Sequence, residues 1–256
     1  HLCDRRQRQM CIRDSYYDAL TENVDYPARA AYLDGLVQKY LRSGGKVMLD
    51  LACGTGTLTE EMAKRGYDMI GVDYSEGMLG QAMEKKIEQQ LPIQYVCQDM
   101  RELELYSTVD ATICTLDSLN HLPGFEDVET VFRKVWEFTE PGGVFLFDMN
   151  TLYKHRELLG SQVYVYETDE VYCVWENALC EDDCTVEITL DLFQLCEDGR
   201  YRRTQEQITE RAYVPEQVTA SLEKIGFHVL GVYHADTEEP LRPDSERMIV
   251  IARKEA

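Results

Sequence analysis

The sequence predicts an α/β protein: a largely parallel sheet with helices on both faces and a smaller antiparallel subdomain inserted late in the chain. Three observations carry this. Val47-Met48-Leu49-Asp50 is an apolar run ending in an acid, followed by Gly54 and Gly56 and then a helical pattern. Strand-like and helix-like segments alternate from there to Asn150. Beyond Thr151 the period changes to two, with a hairpin turn signal at Glu197-Asp198-Gly199. A length of 256 residues suits one such domain carrying an insertion.

The elements follow in order. The segment from Tyr16 to Arg42 reads as helical, with Pro27 suited to a first turn and Ala31, Leu33, Leu36, Val37 and Leu41 forming an apolar stripe; Ser43-Gly44-Gly45 stops it. A buried strand then feeds the Gly54/Gly56 turn. Glycine permits a positive φ there and lets a ligand approach the backbone, while the free N–H groups of the helix start attract its acceptor groups. The helix Leu58–Arg65 closes at Gly66, and Asp68–Asp73 is a second strand ending in an acid. Ser75 caps a helix running to Gln90, Pro92 breaks it, and Ile93–Gln98 is a third strand followed by Asp99. Val109–Leu116 is the fourth strand, with Asp117-Ser118-Leu119-Asn120-His121 at its C-terminal edge. Phe125–Thr139 is an amphipathic helix, and Glu140-Pro141-Gly142-Gly143 turns into the fifth strand, Val144–Asn150. Val163–Glu176, Thr185–Cys196 and Arg200–Tyr213 alternate as antiparallel strands. Pro215–Ile225 is a helix ending at Gly226, and Phe227–Ala235 and Glu246–Arg253 are the last two strands.

Composition narrows the function. A formal charge of -21 argues against a broad nucleic-acid surface. No apolar run reaches the roughly 18 residues of a membrane span, and no signal-peptide pattern is visible, so a cytoplasmic protein is expected. The nine cysteines lie mostly in strand-like runs, and Cys53, Cys97, Cys114 and Cys173 read as small buried apolar residues in a reducing compartment. Cys180 and Cys184 lack a second pair and a nearby histidine, so no metal site is expected. Residues 1–15 lack an initial Met and an apolar period and carry Arg5, Arg6, Arg8 and Arg13. They resemble translated adapter sequence and are read as a non-native tail, with a genuine basic tail as the alternative.

In ligand-binding α/β sheets the acid ending the second strand, here Asp73, accepts from ribose hydroxyls; an exposed loop acid is the plain alternative. A dinucleotide fingerprint would place a third glycine where Thr59 stands, which weighs against an NAD-dependent oxidoreductase. The run Asp50-Leu51-Ala52-Cys53-Gly54-Thr55-Gly56 instead resembles motif I of class I S-adenosylmethionine (SAM)-dependent methyltransferases. The resemblance extends from Tyr16 to Arg253 and implies a Rossmann-like seven-stranded sheet in the order 3-2-1-4-5-7-6, strand seven antiparallel. It implies SAM as cofactor, held by Tyr17, Asp50, Ala52, Cys53, Gly54, Gly56 and Asp73. Tyr74 and Met78 would pack at adenine, Asp99 and Met100 would bind its edge, and Leu116 and Asp117 would face the reacting methyl group. Asp117 and His121 are the candidate catalytic residues; a helix-start or core role for His121 stays open.

The chain further resembles a bacterial small-molecule branch, and its insertion is similar to that of aminosugar N,N-dimethyltransferases. Those carry an insertion histidine implicated as a base, which Gln205–Tyr213 lacks. The resemblance thus implies a SAM-binding methyltransferase domain of residues 16–150 and 213–256. Residues 151–212 would form an acceptor lid or a homodimer contact. The expected partner is a small-molecule methyl acceptor at N or O, with neither nucleic acid nor membrane. A non-catalytic SAM-binding protein is the rival of a different class.

Overall fold

The computed structural model describes residues 24–168, 171–180, 184–196 and 198–255. Tyr17, the tail 1–15, Asp169, Glu170 and Glu197 lie outside them. The elements run α1 (Tyr26–Tyr40), β1 (Val47–Leu51), α2 (Thr57–Lys64), β2 (Asp68–Asp73), α3 (Glu76–Gln89), β3 (Gln94–Cys97), β4 (Val109–Cys114), α4 (Phe125–Phe138) and β5 (Thr139–Asn150). There follow β6 (Val163–Glu167), β7 (Val171–Cys180), β8 (Thr185–Leu195), β9 (Tyr201–Arg211), α5 (Pro215–Ile225), β10 (Phe227–His234) and β11 (Arg247–Lys254). The main sheet has the order β10-β11-β5-β4-β1-β2-β3. Strands β1 to β5 are parallel neighbours, and β11 runs antiparallel to both β5 and β10. This is the implied strand order, with β11 and β10 as the seventh and sixth strands. A second sheet, β6-β7-β8-β9, is wholly antiparallel.

Alternation along the central strands builds two cores. Phe145, Phe147 and Met149 of β5, with Met248, Val250 and Ala252 of β11, face α4 and α5. Val144, Leu146, Ile249 and Ile251 face α1 and α2 on the other side. Strands buried on both faces read as near-continuous apolar runs for this reason. Phe132, Phe145, Phe147 and Phe227 stack through centroids 4.7–6.0 Å apart. The antiparallel sheet has its own small core of Leu159, Val171, Cys173, Val186, Ile188, Leu190 and Leu192.

Helix ends follow the capping residues. Asp25 accepts from Ala28 N at 2.9 Å, Ser75 from Met78 N at 3.2 Å, and Gly226 takes the left-handed φ that closes α5. Three local readings change. The stretch Val163–Glu176 is two strands, because the chain reverses after Glu167 and pairs β6 with β7. Glu140–Gly143 lies within the bounds of β5 as an irregularity in its pairing with β4. Cys97, at the end of the lateral strand β3, is exposed, since no strand among the described residues covers that edge. No helix among the described residues is long and apolar enough to cross a membrane.

The glycine turn after β1 is held from below. Gly56 sits at φ 76°, and a Cβ there would collide with Tyr95 Oη and stand 3.0 Å from Ala82 Cβ. Gly56→Ala should therefore lower stability by about 1–3 kcal/mol through overpacking and a disfavoured φ. Urea titration checks this, and adding Tyr95→Phe should restore part of the loss by removing the colliding oxygen.

Candidate active site

The C-terminal ends of β1, β4 and β5 converge on one edge. A cleft there is lined by Asp50, Ala52, Cys53, Gly54 and Thr55 of the β1 turn, by Thr57 and Leu58 of α2, by Thr115, Leu116 and Ser118 beyond β4, and by Tyr26 of α1. Ligand crevices of open α/β sheets lie outside the carboxyl ends of the strands. Asp50 is buried, and its Oδ2 accepts from Thr59 Oγ1 at 2.6 Å. Burial pushes its carboxyl up to about 7, against the opposing Thr59 hydrogen bond and with help from the Asp73 charge. Thr59, standing where a dinucleotide fingerprint has glycine, thus has a specific task.

Asp73 is also buried, and its carboxylate takes two backbone donors. Gly54 N donates to Oδ2 and Ser75 N to Oδ1, each at 2.8 Å. It joins the β1 turn to the β2 end. Asp99 caps the turn Met100–Glu102 and binds its neighbour Arg101 through Nε at 3.0 and 3.1 Å, which holds its carboxyl below the usual range. Tyr74 is exposed and Met78 buried.

The β4 edge is strained and clamped. Leu116 and Asp117 have φ of 58° and 55°, a conformation unfavourable for side-chain-bearing residues. Asp148 on β5, 1% exposed, holds both: its Oδ2 accepts from Leu116 N at 2.9 Å and its Oδ1 from Asp117 N at 2.7 Å. Arg247 of β11 spans Asp148 Oδ1 at 2.7 Å and Asp117 Oδ1 at 2.6 Å, and Arg29 of α1 pairs with the other Asp148 oxygen.

Residues 48–143 match the family model of the methyltransferase domain. A relative from Geobacillus sp. (strain WCH70) that bears a methyltransferase name is 32% identical over 93% of this chain and 97% of its own. The chain belongs to the class I SAM-dependent methyltransferases. The crystal structure of a SAM-dependent methyltransferase from Clostridium acetobutylicum ATCC 824 superposes with a TM-score of 0.84 at 30% identity, covering 94% of this chain and 96% of that one. The sugar N-methyltransferase KedS8 from Streptoalloteichus sp ATCC 53650 shares the fold, with a TM-score of 0.76 at 20% identity over 94% of this chain and 93% of that one. SAM is the methyl donor of this enzyme.

Beside the methyltransferase cleft, His121 ends a short turn, Ser118–His121, with its side chain 31% exposed. Its Nε2 lies 4.0 Å from Asp117 Oδ2 and 3.9 Å from Glu210 Oε1. Glu210 reaches this edge from β9 of the inserted sheet. Its Oε2 accepts from Asn150 Nδ2 at 2.8 Å and faces His155 Nε2 at 3.5 Å. Burial opposes ionisation of Glu210, but His155, His121 and Asn150 outweigh it and hold its carboxyl low. His155 Nδ1 faces the Cys184 carbonyl at 2.9 Å and must donate to it. Asn120, fully buried, stitches the edge together: Asn150 N donates to its Oδ1 at 2.9 Å, and its Nδ2 donates to Arg211 O at 2.8 Å. Lys154 Nζ donates to Asn150 Oδ1 at 2.9 Å; burial, then the Arg247 charge, lowers its pKa.

The structure thus gathers Asp50, Ala52, Cys53, Gly54 and Leu116 around the cleft, with Gly56 and Asp73 in and under the same turn. Asp117 and His121 stand next to it, whereas Tyr74, Met78, Asp99 and Met100 line no part of the cleft itself. Sequence reasoning passed over Arg29, Asp148, Asn150, His155, Glu210 and Arg247. One signal was there: Asp148 interrupts a buried apolar strand, and a charge in that position requires a partner.

Asp148→Ala should cost about 3–5 kcal/mol, because a buried and a partly buried guanidinium group, Arg29 and Arg247, lose their shared anion and two strained residues lose their N–H acceptors. Chemical denaturation measures this, and Asp148→Asn, which keeps an acceptor but not the charge, should fall between.

Proposed function

We propose that this enzyme transfers the methyl group of SAM to a small-molecule acceptor at nitrogen or oxygen, with the acceptor entering beside His121. The observation that carries this reading is the placement of Asp117, His121 and Glu210 on the sheet edge adjoining the motif I cleft. Bound there, SAM supplies an activated methyl group on a sulfonium, so the protein's work is chiefly orientation, exclusion of water and proton acceptance.

The donor-set chemistry of the cleft fits SAM. Asp50 offers an anion to an ammonium group, and the turn from Ala52 to Gly56 brings backbone close to a ligand without side chains in the way. Asp73 sits where ribose hydroxyls are received. Leu116 and Asp117, fixed by Asp148, border the methyl end. The inserted sheet, residues 151–212 in this reading, supplies the acceptor wall through Glu210. His121 acts as the general base when the acceptor arrives protonated.

Two measurements test this. The first is calorimetric SAM affinity against pH. An ammonium group favours the ionised Asp50 carboxylate, and this carboxyl holds its proton up to about 7 in the unliganded protein. Affinity should therefore rise with pH, by roughly tenfold per unit while Asp50 is still protonated, and level off above about pH 7. Asp50→Asn should flatten that dependence.

The second is transfer of labelled methyl from SAM to a bacterial metabolite extract. Label should enter the small-molecule fraction. His121→Asn should cut kcat by roughly 10²–10⁴-fold with SAM affinity unchanged, the usual contribution of a general base. SAM binding without transfer would instead support the binder reading.

A further inference from the structure

We propose that Asp117, His121 and Glu210 form a cage for a primary amine, so that the methyl acceptor is an amine-bearing small molecule. This rests on the reading above and names its substrate class. The three groups face one gap. His121 Nε2 is 4.0 Å from Asp117 Oδ2 and 3.9 Å from Glu210 Oε1, and one polar atom of each residue lies within 4.8 Å of the others. None of these separations is a hydrogen bond.

The far side of each carboxylate is already occupied. Asp117 Oδ1 is paired with Arg247 at 2.6 Å, and Glu210 Oε2 accepts from Asn150 at 2.8 Å with His155 beyond. The Glu210 side chain is 5% exposed, yet its Oε1 accepts no hydrogen bond from any described residue. An accessible oxygen on an otherwise buried carboxylate, beside two other acceptors, suits a donor with several hydrogens.

Size and charge select among candidates. A point equidistant from the three atoms lies about 2.5 Å from each, so a nitrogen at a hydrogen-bond distance of about 2.8 Å stands just above their plane. Magnesium or zinc needs contacts of about 2.0–2.1 Å, shorter than this spacing, and calcium, which the spacing would suit, takes six to eight oxygen ligands where this group has two carboxylates and an imidazole. Arg247 and Lys154 border the same carboxylates, as do His155 and Asp148 behind them. The two cations disfavour a resident divalent ion, whereas an amine can shed its proton. A hydroxyl brings one hydrogen and would leave one of the two carboxylate oxygens unfilled. A primary amine fills both, keeps a lone pair for attack, and has His121 at hand.

The step balances. The ammonium form of the acceptor gives one proton to His121 Nε2. The freed lone pair forms the nitrogen–carbon bond to the methyl group as the carbon–sulfur pair passes to sulfur. The products are a methylated ammonium and S-adenosylhomocysteine, and His121 releases its proton to solvent.

The test is saturation-transfer NMR on the full chain, with cyclohexylamine and cyclohexanol as matched probes, in the presence of S-adenosylhomocysteine. The amine should bind at least about tenfold more tightly, as expected of a site whose buried polar groups need donors. Glu210→Gln should abolish the preference while calorimetric affinity for S-adenosylhomocysteine stays unchanged. Should that buried substitution unfold the protein, His121→Phe, at a partly exposed position, fills the gap with a ring and should abolish the preference too. Equal binding of the two probes, no binding of either, or an amine preference surviving in both variants would overturn the cage. Failure of the methyl-transfer reading is seen separately, as absence of label transfer to the extract while the amine preference holds.

Discussion

The Asp148 carboxylate is the constraint on which the sheet edge beside the cleft depends. It is buried at the end of β5, and a lone charge there would be costly. Four groups offset that cost: the amides of Leu116 and Asp117, and the guanidinium groups of Arg29 and Arg247. Through them one side chain ties α1, β4, β5 and β11 together. It also holds two consecutive residues at positive φ, which places Asp117 beside the cleft and turns the chain toward His121. The strain is local, and the ion-pair network over-determines it.

The inserted sheet is joined to this edge by polar contacts. Asn120 and Asn150 bridge the turn after β4, the end of β5 and the end of β9. The period-two alternation of β9 turns Thr204, Glu206, Ile208 and Glu210 toward the inner face, and Glu210 is the buried member nearest the site. In the proposed reading, the wall beside the methyl end is built from a segment sixty residues away from β5 in sequence. An acceptor bound there would contact two structural units at once, which is how binding energy is used to orient a reacting atom.

The sheet was legible because its signals are local. Apolar runs ending in Asp50 and Asp73, glycines at Gly54 and Gly56, and Pro215 and Gly226 bracketing α5 each act within a few residues. The edge was legible only in part. Asp117 and His121 lie at a strand end, where position alone suggests a role. Arg29, Arg247 and Glu210 act through partners about 120, 100 and 60 residues away from them, and no local period encodes such pairs. Thr59 shows the converse: its identity counted against a dinucleotide, but its hydrogen bond to Asp50 emerged only in three dimensions.

The central claim is that the methyl end of the donor and the Asp117–His121–Glu210 gap adjoin on one sheet edge. A crystal structure with S-adenosylhomocysteine tests it most directly. The account predicts the ribose at Asp73, the amino end at Asp50, and the sulfur about 5 Å from the point equidistant from the three cage atoms. That spacing leaves room for a methyl group in line with an attacking atom. A sulfur turned away from this gap, or a ligand seated elsewhere on the sheet, would contradict it.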